Sequence, residues 1–376
     1  MSDTLQKISE VAKSLKSQGG SLKDVKFLIG FDGMVDQIIH VVDKRITKDN
    51  YKRIDTIEEF GKKILAASGK SSNIELVTKV TKAGGNAPLM SMAVSGMGAK
   101  VCCMGILGYP EILPVFSPVQ ENCEVISIAP PGETDALEFN DGKLMLGKLA
   151  SVSQMCWKNI SERLGEDKFK ELLLGSDFVA CTNWTMLTEF EEIIDNVIRL
   201  IPDDSGITFF FDIADPEKRE QSELLNLFEQ MKKLDKKGQC LLGLNLREAE
   251  QILELLKSPS KENDDLEGVQ KMASQIKNIL GLSGVVIHSV SYAGADWKGQ
   301  LASVKGPYTP KPTITTGAGD HFNGGFCSGI MAGLSLEEAL YVGTATSGWY
   351  VRNGGPSPKI NDVVGLLEQW SKNELE

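Results

Sequence analysis

Six short apolar runs punctuate the chain, and most are separated by stretches with helical spacing. The runs are Lys26 to Gly30, Val101 to Met104, Phe178 to Thr182, Thr208 to Phe211, Leu241 to Leu244 and Val285 to Ile287. Each is short, so it reads as a strand covered on both faces. Glu189 to Leu200, Glu223 to Leu234 and Glu267 to Leu280 repeat apolar residues three and four apart, the period of an amphipathic helix. This alternation predicts an α/β fold: a doubly wound, mostly parallel sheet with helices on both faces.

Two regions break the alternation. Residues 34–83 hold an extended piece (Gln37 to Val42), a helical piece (Ile57 to Ala66) and a second extended piece (Ile74 to Thr81). Within 124–150, Asp135 to Phe139 and Lys143 to Gly147 flank Asn140-Asp141-Gly142, and Asp-Gly between alternating runs predicts a hairpin. Together these pieces predict a small β-flap outside the main sheet, a lid able to exclude water from a transfer reaction. Residues 1–376 are thus expected to form one domain with lid pieces within about 34–83 and 124–150. Residues 1–20 read as an amphipathic helix, and the polar stretch Lys257 to Asp265 as a surface loop.

The predicted strands end on chemistry-bearing residues. Asp32, Gly105, Asn183, Asp212, Asn245, and then His288 and Ser289, follow successive runs. Strands often stop at turn-forming residues, which accounts for any one of these positions. Six at one edge point to a ligand site, because open α/β sheets bind at the carboxyl ends of their strands.

Composition narrows the function. The 376 residues are 41% hydrophobic and 24% charged, an ordinary globular balance. A net charge of −11 excludes a nucleic-acid partner, which would reward clustered Lys and Arg. Seven cysteines, none in a C-x-x-C spacing and two adjacent in an apolar run (Cys102, Cys103), suit a reducing compartment. Neither a leader-like opening nor an apolar stretch of about 18 residues is seen, so no membrane role is expected and the location is expected to be cytoplasmic.

Thr315-Thr316-Gly317-Ala318-Gly319-Asp320-His321-Phe322-Asn323-Gly324-Gly325 carries the chemistry. The run from Asp320 to Ala332 has helical spacing and stops at Gly333, and Ser335 with Glu338 forms a capping box for the next helix. Gly317, Ala318 and Gly319 therefore sit at a helix N-terminus, where free N–H groups make an anion hole suited to a phosphoryl group. Asp320, in the first turn, is placed to act as a base, although a first-turn acid is also stabilised by the helix dipole alone. No G-x-x-x-x-G-K-[ST] loop, G-x-S-x-G elbow or H-E-x-x-H pair is present; the histidines stand only at 40, 288 and 321.

Thr315 to Phe322 resembles the C-terminal signature of the ribokinase (PfkB) family of carbohydrate and nucleoside kinases. Gly84-Gly85-Asn86, leading into the small-residue segment Met90 to Gly98, is similar to that family's double-glycine motif. Asn245-Leu246-Arg247-Glu248 matches its Asn-x-x-Glu motif, and Asp36 stands where it places a substrate-binding carboxylate. Order and spacing agree from about residue 26 to 360. The resemblance implies ATP-dependent phosphorylation of a hydroxyl on a sugar or sugar-like molecule, with Asp320 as base. Asn245 and Glu248 would act on Mg²⁺ through water, and Thr316 and Ser289 would join them around the nucleotide. Asp36, Asp32, Gly85, Asn86 and Asn183 would hold the substrate.

Three positions depart from the family pattern: Ile314 in place of Asp, Leu89 in place of Asn, and His288-Ser289-Val290 in place of Thr-x-Gly. Alternatives therefore stay open: a nucleoside acceptor, ADP as donor, or a sugar-binding protein without catalysis on the same fold. His288 is weighed as a nucleotide contact. His321 should point away from Asp320 and be solvated or packed, while Trp184 and Trp349 suit core or interface. The flap edge could pair with a second copy to form a homodimer.

Overall fold

A computed structural model describes residues 3–259 and 262–375, so residues 1 and 2 of the expected first helix, and 260 and 261 of the polar loop, lie outside the described residues. In chain order the strands are β1 (Lys26–Gly30), β2 (Met34–Arg45), β3 (Tyr51–Arg53), β4 (Leu76–Gly84), β5 (Lys100–Gly105), β6 (Glu124–Ser127), β7 (Gly132–Phe139), β8 (Gly142–Lys148), β9 (Phe178–Thr182), β10 (Thr208–Asp212), β11 (Gln239–Asn245), β12 (Gly284–His288), β13 (Tyr292–Trp297) and β14 (Gln300–Lys305). All six apolar runs are strands.

Nine strands form the main sheet in the order β14-β13-β12-β11-β10-β9-β1-β5-β6. Only β13 runs counter to the rest. Strand order reverses direction between β9 and β1, the kind of switch point where loops part and leave a crevice. Register brings the chemistry-bearing ends level: Asp212 pairs with Thr182 and Gly243, and Asn245 with His288.

Alternation along each strand sorts side chains onto two buried faces. Leu28, Val179, Phe209, Phe211 and Leu242 face one core, covered by Phe190–Leu200, Gln221–Asp235 and Leu266–Leu280. Phe27, Phe178, Phe210 and Leu241 face the other, covered by Asn86–Gly96, Ala318–Met331, Leu336–Asn353 and Ile360–Ser371. Trp184 is fully buried in the first core, and Trp349 packs half-buried against the second.

The lid is a separate five-stranded sheet of β3, β2, β7 and β8, with β4 paired to β2. Ile57–Ala66 lies on it, Phe60 stacking on Phe139 with ring centroids 5.5 Å apart. One boundary differs from expectation: β6, at 124–127, pairs with β5 in the main sheet, and the lid resumes only at Gly132. The hairpin of β13 and β14 was also not expected. Its turn, Lys298-Gly299, has both residues left-handed (φ 53° and 80°), a two-residue turn without the Asp or Asn that usually announces it.

Helix Ala318–Met331 fits its place because glycine lines its contacts. A Cβ on Gly324 would stand 2.6 Å from the Cβ of Ala93 in the neighbouring helix. Gly324→Ala therefore gains helix propensity but overpacks a rigid contact, and should destabilise the fold by about 1–3 kcal/mol. Denaturant unfolding of both proteins checks this; an unchanged midpoint would show that the two helices can separate freely.

Candidate active site

Helix Ala318–Met331 begins at the carboxyl edge of the sheet. Gly317 precedes it in a left-handed conformation (φ 88°) that favours glycine. Among the described residues the amides of Gly317 and Gly319 have no protein acceptor, whereas Ala318 N–H donates to Thr315 O at 3.2 Å. The expected anion hole thus differs in one member: Ala318 closes the turn, and among the described residues Gly319 presents the free N–H.

Asp320 and Asn323 are one turn apart and share a face, so both line a cavity of about 190 Å³. Asp212 and Asp215 from the end of β10 line it too, with Asn245 and Glu248 from the end of β11, and Asn86 and His288. Asn323 Nδ2 donates to Asp212 Oδ2 at 2.9 Å, tying the helix to the sheet edge. Its Oδ1 is buried without a protein partner.

Among the described residues no Lys or Arg lines this cavity, and four carboxyl groups share it. Burial, then the neighbouring Asp212 and Asp32 charges, push Asp320 well above the usual carboxylate range. Burial and then Asp212 raise Glu248, to about 9. Desolvation raises Asp212 as well, against the Ala214 amide that holds it down.

A larger cavity of about 520 Å³ adjoins it, sharing Asn245, His288 and Gly319. Its walls are mostly apolar and aromatic, including Leu246, Val290, Tyr292, Pro307, Tyr308, Phe322 and Val351. His288 stands between the two cavities, against Gly319 and tilted on Phe322 at 4.8 Å, and burial keeps its ring neutral with a pKa near 4.

The expected site residues separate into two sets. Asp320, Gly319, Asn86, Asn245, Glu248 and Ala318 line one or both cavities, and Ser289 lines the larger. Asn245 and Glu248 each accept the other's backbone N–H at 2.9 Å, a capping box that holds both side chains at the cavity wall. Ser289 spends its hydroxyl on the amides of Ser291 and Tyr292, shaping the turn between β12 and β13.

Asp32, Asp36, Asn183, Gly85, Gly317 and Thr316 line neither cavity. Asp32, expected to hold substrate, is held among protein groups: it accepts the amides of Asn86 (2.8 Å) and Ala87 (2.7 Å) and Asn183 Nδ2 (2.7 Å), while the Thr182 hydroxyl lies 3.3 Å from it and 3.1 Å from the Gly30 carbonyl oxygen. Three donors, with the Thr182 hydroxyl shared between this carboxylate and Gly30 O, hold a fully buried group in place. Asn183 is thereby turned toward Asp32, and Gly85 packs beside it. Thr316 is exposed and offers its carbonyl to Tyr350 Oη at 3.3 Å, while Thr315 lines the larger cavity instead.

Asp36 lies at the root of the lid, on β2, paired with Lys82 of β4 and pressed against Gly84. Burial raises its pKa, while Lys82 pulls it down. Sequence reading missed Asp215 and Asn323. Asn323 was findable, since position i+3 from Asp320 on a helix shares its face.

Comparison with known proteins now decides the family. The prokaryotic ketohexokinase family profile matches residues 2–370. The chain belongs to that family. A ketohexokinase of Haloferax volcanii is 30% identical over 336 residues, 88% of each chain. Arabidopsis thaliana ribokinase complexed with ribose and ATP aligns at a TM-score of 0.63 and 15% identity, over 92% of this chain and 98% of that one. Adenosine kinase from Sinorhizobium meliloti aligns at 0.61 and 18% identity, over 93% and 98%. These structures share the ribokinase-like fold: a large, mostly parallel sheet with a small lid sheet. The protein is a sugar kinase, and the reading as a non-catalytic sugar-binding protein falls away.

The raised carboxyls of this kinase give a pH-dependent stability. Glu248 stays protonated in the folded chain where the unfolded chain has already ionised. Its contribution is present below about 4.5, its ordinary value, and is lost as pH rises toward about 9. Ligand-free Glu248→Gln should therefore lose less melting temperature than the parent between about pH 5 and about pH 9. Parallel curves would show that Glu248 ionises freely in the fold.

Proposed function

We propose that this kinase moves the γ-phosphoryl group of ATP to a hydroxyl of a ketohexose, with Asp320 accepting the hydroxyl proton. The observation that carries the reading is the placement of the Asp320 carboxylate in a polar cavity beside the unpartnered Gly319 amide. Phosphoryl transfer through a loose transition state asks for alignment, charge stabilisation and a modestly placed base. A carboxylate raised toward the working pH is a stronger base than an ordinary one. The Gly317–Gly319 turn would receive the migrating group, since its free amides point with the positive end of the helix dipole.

The larger, apolar-walled cavity suits a nucleotide base and ribose, and the smaller one suits the phosphate end. Asp36 and Asn86 would hold sugar hydroxyls, closed over by the lid. Mg²⁺ fits the donor set: Asp212, Asp215, Glu248 and Asn323 line a cavity that no described Lys or Arg enters, and Asn323 Oδ1 lies buried without a described partner. Among the described residues no three His, Cys, Asp or Glu groups can hold an ion directly, so these groups would hold it through water. Once bound, the ion would neutralise phosphate charge and draw these carboxyls into their ionised forms.

The same site admits two narrower alternatives, a nucleoside acceptor and ADP as donor. A cytoplasmic location fits an ATP-using kinase whose seven cysteines are all free. Among the described residues no helix is long and apolar enough to cross a membrane. The lid exposes Leu76, Val80, Met145 and Leu146, and a homodimer through these strands would bury them. Sedimentation should then show a dimer that Leu146→Glu shifts toward monomer, and a monomeric parent would remove the pairing.

Turnover of ATP and ADP against a panel of ketohexoses, aldoses and nucleosides tests the main reading. A ketohexose with ATP should give the highest kcat/KM, and Asp320→Asn should lose about 10²–10⁴-fold in kcat while still binding the sugar. Wild-type turnover by Asp320→Asn would remove it as base. Preference for adenosine or ADP would replace the substrate assignment.

A further inference from the structure

His321 follows the proposed base directly, yet the chemistry above gives it no task. Its ring is fully buried in the first turn of helix Ala318–Met331 and turned away from the cavity. Nδ1 lies 2.7 Å from the Gly317 carbonyl oxygen, and Nε2 lies 2.7 Å from Ser357 Oγ. The ring stacks on Tyr350, centroids 3.6 Å apart and planes within 13°. A carbonyl only accepts, so Nδ1 carries the proton; Nε2 then accepts from the Ser357 hydroxyl. Burial lowers the pKa to about 4, so one neutral tautomer persists at neutral pH.

The bond falls on one particular peptide. Gly317 O also accepts the His321 backbone N–H at 3.1 Å, so one residue grips that oxygen twice. A peptide unit is planar, and fixing its oxygen fixes its plane. The N–H at the other end of this unit, on Ala318, is held by Thr315 O. Tyr350 Oη holds the preceding carbonyl, on Thr316, and a Cβ on Gly317 would meet Leu89 Cδ1 at 2.9 Å. With that peptide immobilised, the Gly319 and Asp320 amides that follow have little freedom of aim. The helix bond alone would leave the glycine-preceded first turn able to rock, because Gly317 itself resists rotation poorly.

We propose that His321 is a positioning residue for transfer: its Nδ1–H bond to Gly317, locked by Ser357, aims the turn's free amides at the migrating phosphoryl group. This rests on reading Gly317–Gly319 as the anion hole. His321 touches neither sugar nor nucleotide. The loop from Gly354 to Ser357, far along the chain, becomes part of the catalytic support.

A buried, doubly bonded histidine could instead serve stability alone, so the test separates the two roles. His321→Phe keeps the ring stacked on Tyr350 and removes both hydrogen bonds. His321→Asn puts a donor, Nδ2, near where Nδ1 stood. We expect His321→Phe to lower kcat about 10–100-fold with the sugar KM within about twofold, and His321→Asn to recover most of that loss. A readout without turnover is the melting-temperature gain from Mg·ADP with aluminium fluoride, a planar phosphoryl mimic, over the gain from Mg·ADP alone. His321→Phe should lose that extra gain and keep the first.

The idea is overturned if His321→Phe keeps kcat within about twofold, if Phe and Asn are equally impaired, or if both melting-temperature gains survive intact. Should His321→Phe fail to fold, Ser357→Ala decides. A fall of severalfold in kcat at unchanged sugar KM supports the lock, and an unchanged kcat refutes it. Any of these failures leaves Asp320 untouched as base, whereas turnover by Asp320→Asn would strike the kinase chemistry itself.

Discussion

One hydrogen bond, from Asn323 in the first turns of helix Ala318–Met331 to Asp212 at the end of β10, fastens the two halves of the site together. The helix supplies free amides and Asp320; the sheet edge supplies Asp212, Asp215, Asn245 and Glu248. Each half is unremarkable alone, since a helix start is mildly positive and strand ends are commonly polar. Joined within a cavity of about 190 Å³, they become an acidic, poorly solvated pocket at the start of a helix. The carboxyls pay for that proximity in raised pKa values, and a bound dication would release the strain.

Close helix packing holds this arrangement in place. Ala318–Met331 lies against Asn86–Gly96 and Leu336–Asn353 with glycine at its contacts, so the turn at Gly317 cannot drift far from β10 and β11. Behind the turn, His321, Tyr350 and Ser357 form a largely buried, hydrogen-bonded backing. Beneath the neighbouring helix, Asp32 uses both carboxylate oxygens on Asn86, Ala87, Thr182 and Asn183. It makes the β1–β9 switch point rigid. The two sides thus have different tasks: Asp32 and its partners brace the scaffold, while Asp320 and its neighbours face the cavity.

Much of this was readable beforehand where a signal is local. Strand identity follows from runs of apolar residues, helix phase from three-and-four spacing, and the Ser335 cap from its Glu338 partner. Local signals run out where meaning depends on contact across the chain. Asp32 and Asp36 are four residues apart around a glycine and look alike in sequence, yet one is buried among protein donors and the other lies at the lid's root. Ala318 resembles its neighbours in the turn, but a 3.2 Å bond to Thr315 withdraws its amide. β6 went unread as a strand because the four residues Glu124 to Ser127 carry too little periodicity to say which sheet edge they join.

By itself the sequence determined the layered α/β fold, the order of strands and helices, and the helix start at Gly317–Asp320. Periodicity, backbone freedom and capping act over a few residues, and linear order records them. Which carboxylates crowd together, which amides stay free, and where His321 points were decided only by the tertiary structure. Those properties are set by burial and by partners from distant segments, and electrostatic strength depends on how completely water is excluded.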